Sequence, residues 1–393
     1  MRISFTGDIL CYASQIALMK KSRSQYDFSR IFDKVVPYLR NSEYLCGSLE
    51  TPIADASYTD KDSSINFNTP VEFLQALYDA GFKMMTTANN HCLDRGIKGL
   101  RNTIQALEYY KLEHVGTYLS KEDSDACFIK DFNGFKVSFL SFTYGTNSRV
   151  NRNYLSENES YMVDLLRRQD RSVPVRRSLL RKVLRRIIWK KKVKKGALLD
   201  SVSASEIVNT VNERYIERFK WKIQKAKANS DVVILCLHSG GQFNFNLGVG
   251  EYTKYIVGMA LESGVDIVIG NHTHCVMPAE RQGGKFISYA LGNFSFVPGE
   301  GYYVENVYAD YSILLHLDFN VSTKSLEQIT FSVLKSVVGE DGVSQVYNVY
   351  DLYKEETDSS IKQELALDVK AVIDKFKCTS KTSAMPVSKE YRF

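Results

Sequence analysis

Four of the six histidines, His91, His238, His272 and His274, occupy three short segments that each follow an apolar, strand-like run. Residues 83–88 lead to Asn90 and His91, residues 231–237 to His238, and residues 265–269 to His272 and His274. Two further runs end in carboxylates: residues 3–6 precede Gly7 and Asp8, and residues 43–46 precede Glu50. In an α/β sheet the carboxyl ends of the strands converge on one edge, where ligand sites form. Five strand ends would therefore deliver imidazole, carboxylate and carboxamide groups to one place. Borderline-soft divalent metals take mixed N and O ligands of this kind, and one carboxylate can bridge a metal pair. His272 and His274, two residues apart, share a face if the chain is extended there. His114 and His316 are read as hydrogen-bonded structural residues.

The elements needed to position these groups are legible in outline. Up to about residue 142, short apolar runs alternate with amphipathic stretches at 28–39, 71–80 and 99–110, the pattern of βαβ units. Residues 143–202 break the rhythm and read as an insertion at about 148–202. Ser203 and Glu206 form a capping box for a helix ending near Asn229. The βα pattern then resumes through 231–237, 252–262 and 265–269. Residues 286–290, 311–319 and 326–334 alternate like antiparallel strands. The expected organisation is one α/β domain over 1–335, followed over 336–393 by a helical extension and a polar tail without structure from Thr379.

The chain has 393 residues and 44% hydrophobic content, ample for a buried core. Its seven cysteines, an odd number without a CxxC pair, read as reduced thiols. No apolar run is long enough for a membrane helix, and Met1 leads within two residues into the first strand, so a cytoplasmic location is expected. The net charge of +6 is concentrated: residues 167–195 hold 14 Lys or Arg and one acid, Asp170, so this segment carries +13 and the remainder −7.

Six motifs occur in order: Gly7-Asp8; Ser48-Leu49-Glu50; Ala88-Asn89-Asn90-His91 with Asp94 and Gly96; His238 with Gly240; Gly270-Asn271-His272-Thr273-His274; and Tyr289-Ala290-Leu291-Gly292-Asn293-Phe294. Together they resemble the CapA family of capsule and poly-γ-glutamate biosynthesis proteins, whose domain is similar to the calcineurin-like metallophosphoesterase fold. The resemblance covers residues 1–296 apart from the basic insertion. It implies a metallophosphatase-like four-layered αββα sandwich with a dinuclear centre holding Mn, Zn or Fe. Asp8 and His274 would hold one metal, Asn90, His238 and His272 the other, and Glu50 would bridge. His91 would protonate a leaving group or steady charge, with Asp94 orienting it. Phosphoesterases carry a histidine where this chain has Leu10, which implies one tight and one weaker metal. Ser48, Ser239 and Gln242 also depart from the family pattern, which puts inherited substrate specificity in doubt. Arg95 and Asn293 are candidates to contact substrate, against plainer readings as a solvated charge and a turn residue.

The expected function is metal-dependent hydrolysis in the biosynthesis of a capsule or other cell-surface polymer. The alternatives are a non-catalytic accessory that binds an anionic polymer for a synthase, and a phosphodiesterase of small phosphoesters. Within the basic segment Leu179, Leu180, Val183, Leu184, Ile187 and Ile188 recur in pairs at helical spacing, with Trp189 at the edge. Such a cationic amphipathic helix suits an anionic membrane surface, making the protein peripheral at the inner face, or an acidic polymer. Nucleic acid is not expected, since Trp189 is the one aromatic in the densest stretch. If the membrane reading holds, intact protein co-sediments with anionic vesicles in a salt-sensitive manner and protein lacking the segment does not. Equal binding by both removes the membrane role.

Overall fold

The computed structural model describes residues 1–22, 25–54, 66–169, 212–240, 248–300, 308–379 and 386–393. Arg2–Ile9, Tyr44–Leu49, Phe82–Thr86 and Glu113–Val115 run parallel. Tyr311–Asn320, Ser325–Val338 and Ser344–Asn348 continue that sheet antiparallel. A second sheet has Phe135–Thr143, Val232–His238, Ile267–Asn271 and Lys285–Ser288 in parallel, with Phe128–Phe132 and Ala279–Gln282 as antiparallel edges.

The sheets pack face to face, with Ile3, Phe5 and Met84 of the first meeting Val137, Ile234 and Ile267 of the second in one buried cluster. Glu72–Ala80 covers the outer face of the first sheet through Phe73 and Leu77. Glu213–Asn229 and Glu251–Ser263 cover the second through Phe219, Ile223, Ile256 and Ala260. The result is an α/β protein with four layers, helix, sheet, sheet and helix. Strands covered on both faces cannot alternate polar and apolar, which is why Val232–His238 is buried along its whole length and reads as an unbroken apolar run.

Several boundaries differ from expectation. Residues 28–39 form two short helices, Ser29–Phe32 and Val36–Leu39, with Pro37 in the first turn of the second, where a missing N–H breaks no helical bond. The boundary expected at 335 falls inside the Ser325–Val338 strand, and Ser344–Asn348 pairs with that strand beyond it. Helices Val349–Glu355 and Ser359–Lys377 follow. The tail is not without structure: Tyr391–Arg392 pairs with Thr330 and Phe331, and the Phe393 ring packs on Phe286 and Phe376. Buried aromatic area outweighs the polarity of that stretch.

The first part of the expected insertion is built into the fold. Asp164 N–H donates to Gly116 O at 2.9 Å and Thr143 N–H to Asp164 O at 3.0 Å, while Leu155, Met162, Val163 and Leu165 are buried together. Gln169 is buried too, and its Oε1 accepts from Thr146 N at 3.0 Å, so a deletion of basic residues that spares the fold starts after it. The cationic helix and the Ser203–Glu206 capping box lie outside the described residues. Among the described residues no helix is long and apolar enough to cross a membrane.

One charge pair is sealed in this junction. Lys222 Nζ lies 2.5 Å from Asp164 Oδ2 and 3.0 Å from the Tyr118 hydroxyl, which itself donates to Asp164 at 2.7 Å. Burial pulls the Lys222 ammonium below its ordinary pKa, although the Asp164 charge opposes this. Removing one partner of a buried pair strands the other, at a cost of about 3–5 kcal/mol. Lys222→Ala should therefore lower unfolding free energy by about that amount in denaturant titration; a loss under about 1 kcal/mol would mean that water reaches Asp164.

Candidate metal site

The sheet ends bring together all six residues expected as ligands. Asp8, Glu50 and His238 offer ligand atoms within 4.8 Å of one another, and so do Glu50, His272 and His274. Asn90 joins them through Oδ1, 2.6 Å from His238 Nε2. Glu50 belongs to both groups. Its Oε1 lies 3.4 Å from His238 Nε2, 3.8 Å from His274 Nε2 and 3.9 Å from His91 Nε2. The pairs implied by the resemblance are close as well, with His274 Nδ1 3.8 Å from Asp8 Oδ2 and the His238 and His272 rings 4.8 Å apart.

Close backbone approach makes this convergence possible. A Cβ on Gly7 would sit 2.0 Å from Gly292 O, and one on Gly270 would sit 2.1 Å from Tyr289 O. Only glycine lets the Asp8 loop lie against the Asn293 strand, where Asp8 N–H donates to Gly292 O at 2.9 Å. The His-x-His pair does not lie in extended chain as expected. Its strand ends at Asn271, and His272 and His274 have φ of +99° and +56°. A left-handed turn carries both imidazoles into the cleft, at a backbone cost of order 1–3 kcal/mol for each such residue. Part of that turn is held by Asp8, whose Oδ2 accepts from His272 N at 2.9 Å while Ser48 Oγ donates to Oδ1 at 3.0 Å.

Electrostatics disfavour this arrangement without a cation. Burial pushes the Asp8 carboxyl well above the usual carboxylate range, and the neighbouring Glu50 adds to the shift. Burial also raises Glu50, although His274 and His91 oppose it. Burial holds His238 and His272 well below the ordinary imidazole range, so both are neutral with lone pairs to give. Among the described residues neither oxygen of Glu50 meets a hydrogen-bond donor. Neutral imidazoles around buried, unsatisfied carboxylates are a donor set suited to a divalent metal, which supplies the missing positive charge.

His91 borders the cleft. Its Nδ1 lies 2.7 Å from Asp94 Oδ2, and the Phe67 ring meets it edge-on at 4.7 Å between centroids. Burial would lower its pKa, but the Asp94 charge and hydrogen bond, with Glu50 and Asp8, raise it on balance. Asp94 also accepts from Phe67 N at 2.8 Å and Asn151 Nδ2 at 3.2 Å. Arg95 points elsewhere than a solvated charge would, with Nε donating to Phe67 O at 3.0 Å. Asn293 is fully buried and bonded to His274 and Ala309. Sequence reasoning missed Asn89, whose Oδ1 accepts from His91 N at 3.0 Å while Nδ2 donates to Leu49 O at 2.7 Å. It also missed Phe67, Asn151 and Tyr144, whose ring lies 4.7 Å from that of His272. An asparagine directly after a strand was the available signal for Asn89; the others come from remote segments and left none.

If a cation relieves the Asp8–Glu50 repulsion, divalent metal should raise the melting temperature of chelator-stripped protein, by the equivalent of about 2.7 kcal/mol at 100 times Kd. Glu50→Gln should melt higher than wild type when metal-free and lose most of the metal-induced gain. A variant that still gains as much as wild type would place the metal elsewhere.

Over 302 residues the chain is 24% identical to the capsule biosynthesis protein CapA of Bacillus anthracis, covering 76% of this chain and 60% of that protein. Over 300 residues it is 25% identical to the PGA biosynthesis protein CapA of Bacillus subtilis (strain 168), covering 75% and 63%. The chain thus spans somewhat over half the length of these curated relatives. With its profile matched across residues 2–297, a stretch that holds every residue of the cleft, the chain belongs to the bacterial capsule synthesis protein family PGA_cap.

Proposed function

We propose that this chain is a metal-dependent hydrolase that acts on a cell-surface polymer, of the capsule or poly-γ-glutamate type, or on its precursor. The observation that carries the reading is Glu50, a buried carboxylate without a donor among the described residues, shared by two groups of side chains that could hold a metal. Asp8, Glu50, Asn90, His238, His272 and His274 would hold Mn, Zn or Fe, one ion tightly and a second weakly. Leu10 supports the weaker second ion: it is packed in an apolar cluster with Tyr12, Phe67 and Phe296 and offers no donor. A bound divalent cation supplies Lewis acidity, activating water and neutralising an anionic substrate.

The chain's own residues do the rest. Asp94 takes the Nδ1 proton of His91 in a hydrogen bond, which leaves Nε2 facing Glu50 and the cleft. From there the imidazolium can give a proton to a departing oxygen or nitrogen, a contribution of about 10²–10⁴-fold in general acid catalysis. Phe67 shields the ring from bulk water, and Asp94 and Arg95 both hold the Phe67 backbone. The basic residues of 170–195 would add attraction for a polyanion or for an anionic lipid surface.

Elemental analysis of protein purified without added metal, followed by assays on phosphoester and γ-glutamyl substrates with the metal found, tests the reading. Hydrolysis that falls about 10²–10⁴-fold in His91→Gln with metal content unchanged is the expected result. No turnover of either substrate class, with polymer binding retained, would make the protein a non-catalytic accessory.

A further inference from the structure

Asn293 sits in the Asn293–Ser295 strand, paired in parallel with the first strand in a register that sets it opposite Asp8. Its amide has a closed set of partners. Nδ2 donates to the carbonyls of His274, at 3.0 Å, and Ala309, at 2.9 Å. Carbonyls only accept, so the amide cannot be turned over without opposing oxygen to oxygen at both. Its Oδ1 must therefore face His274 Nδ1, 2.9 Å away. An oxygen there can only accept, so His274 Nδ1 must carry the proton, and the lone pair of the neutral ring lies on Nε2. That nitrogen lies 3.8 Å from Glu50 Oε1. His274 is the most exposed ligand histidine, with 22% of its side chain accessible, and it stands on a left-handed backbone.

We propose that Asn293 is a positioning residue: its side-chain oxygen selects the Nδ1–H tautomer of His274 and aims Nε2 at the metal. This rests on the metal reading of the cleft and replaces a substrate-contacting role for Asn293. A hydrogen bond to the second nitrogen of a ligand histidine raises its basicity and locks its orientation, and its loss typically costs about 10–100-fold in metal affinity.

The test uses the full chain stripped of metal. Nitrogen-15 histidine NMR of the wild type should place the His274 tautomeric proton on Nδ1; a tautomer with the proton on Nε2 overturns the proposal, whatever the variants do. Calorimetric titration with Mn²⁺ and Zn²⁺ then compares Asn293→Asp with Asn293→Leu. Both variants lose the donors to His274 O and Ala309 O, but only the aspartate keeps an acceptor for Nδ1. Asn293→Asp should hold metal at least as well as wild type, and Asn293→Leu about 10–100-fold more weakly. Equal weakening of the two would reduce Asn293 to a backbone brace and overturn the proposal. Should neither variant fold by circular dichroism, the wild-type tautomer decides alone. Should wild type bind no metal, the proposed function fails, and the tautomer measurement still judges the orienting contact.

Discussion

Asp8 and Glu50 are buried side by side at the ends of adjacent parallel strands, and among the described residues Glu50 has no hydrogen-bond donor to offset its charge. Burying a carboxylate this way is expensive unless a cation or a proton compensates. Much of the surrounding structure answers to that constraint. The His238 and His272 imidazoles of the second sheet line the same cleft, their own charged forms suppressed by burial. Asp8 is given two donors, Ser48 and the His272 amide, while Glu50 is left open. This asymmetry leaves Glu50 as the carboxylate still open to a ligand.

Meeting the constraint demands sub-ångström control of backbone position. The sandwich provides it by bringing chain against chain where glycine alone fits, Gly7 on Gly292 and Gly270 on Tyr289. These contacts tie the motifs at the two ends of the domain together, so that Asp8 and Asn293 become neighbours although far apart in sequence. The strained turn at His272 and His274 is held between them. Strain of this kind persists only where neighbours over-determine it, and here the Asp8 carboxylate and the Asn293 amide both grip that turn.

Much of this was legible in the sequence. Parallel strands covered on both sides leave unbroken apolar runs, and the polar residue after each run marks the site edge; Asp8, Glu50, Asn90, His238 and His272 were found that way. The turn at His272 was not, because apolar periodicity carries no information about a positive φ in a non-glycine residue. Asn151 and Phe67 reach Asp94 and His91 from distant segments, and a single sequence holds no trace of such pairings. The burial of Lys222 left no signal in the sequence, since only the folded chain sets Asp164 and Tyr118 beside it. The short strand at Tyr391–Arg392 is too brief to show a period and is held by the ring of Phe393 instead.

On the proposed function the Glu50 carboxylate is the shared ligand of a bound divalent metal. Anomalous diffraction at the absorption edge of the metal found by elemental analysis tests this most directly. A peak within about 2.0–2.3 Å of a Glu50 oxygen, with His238, His272 or His274 nitrogen at similar distance, is the predicted result. A protein free of metal after purification and soaking, or a peak remote from Glu50, would contradict the account.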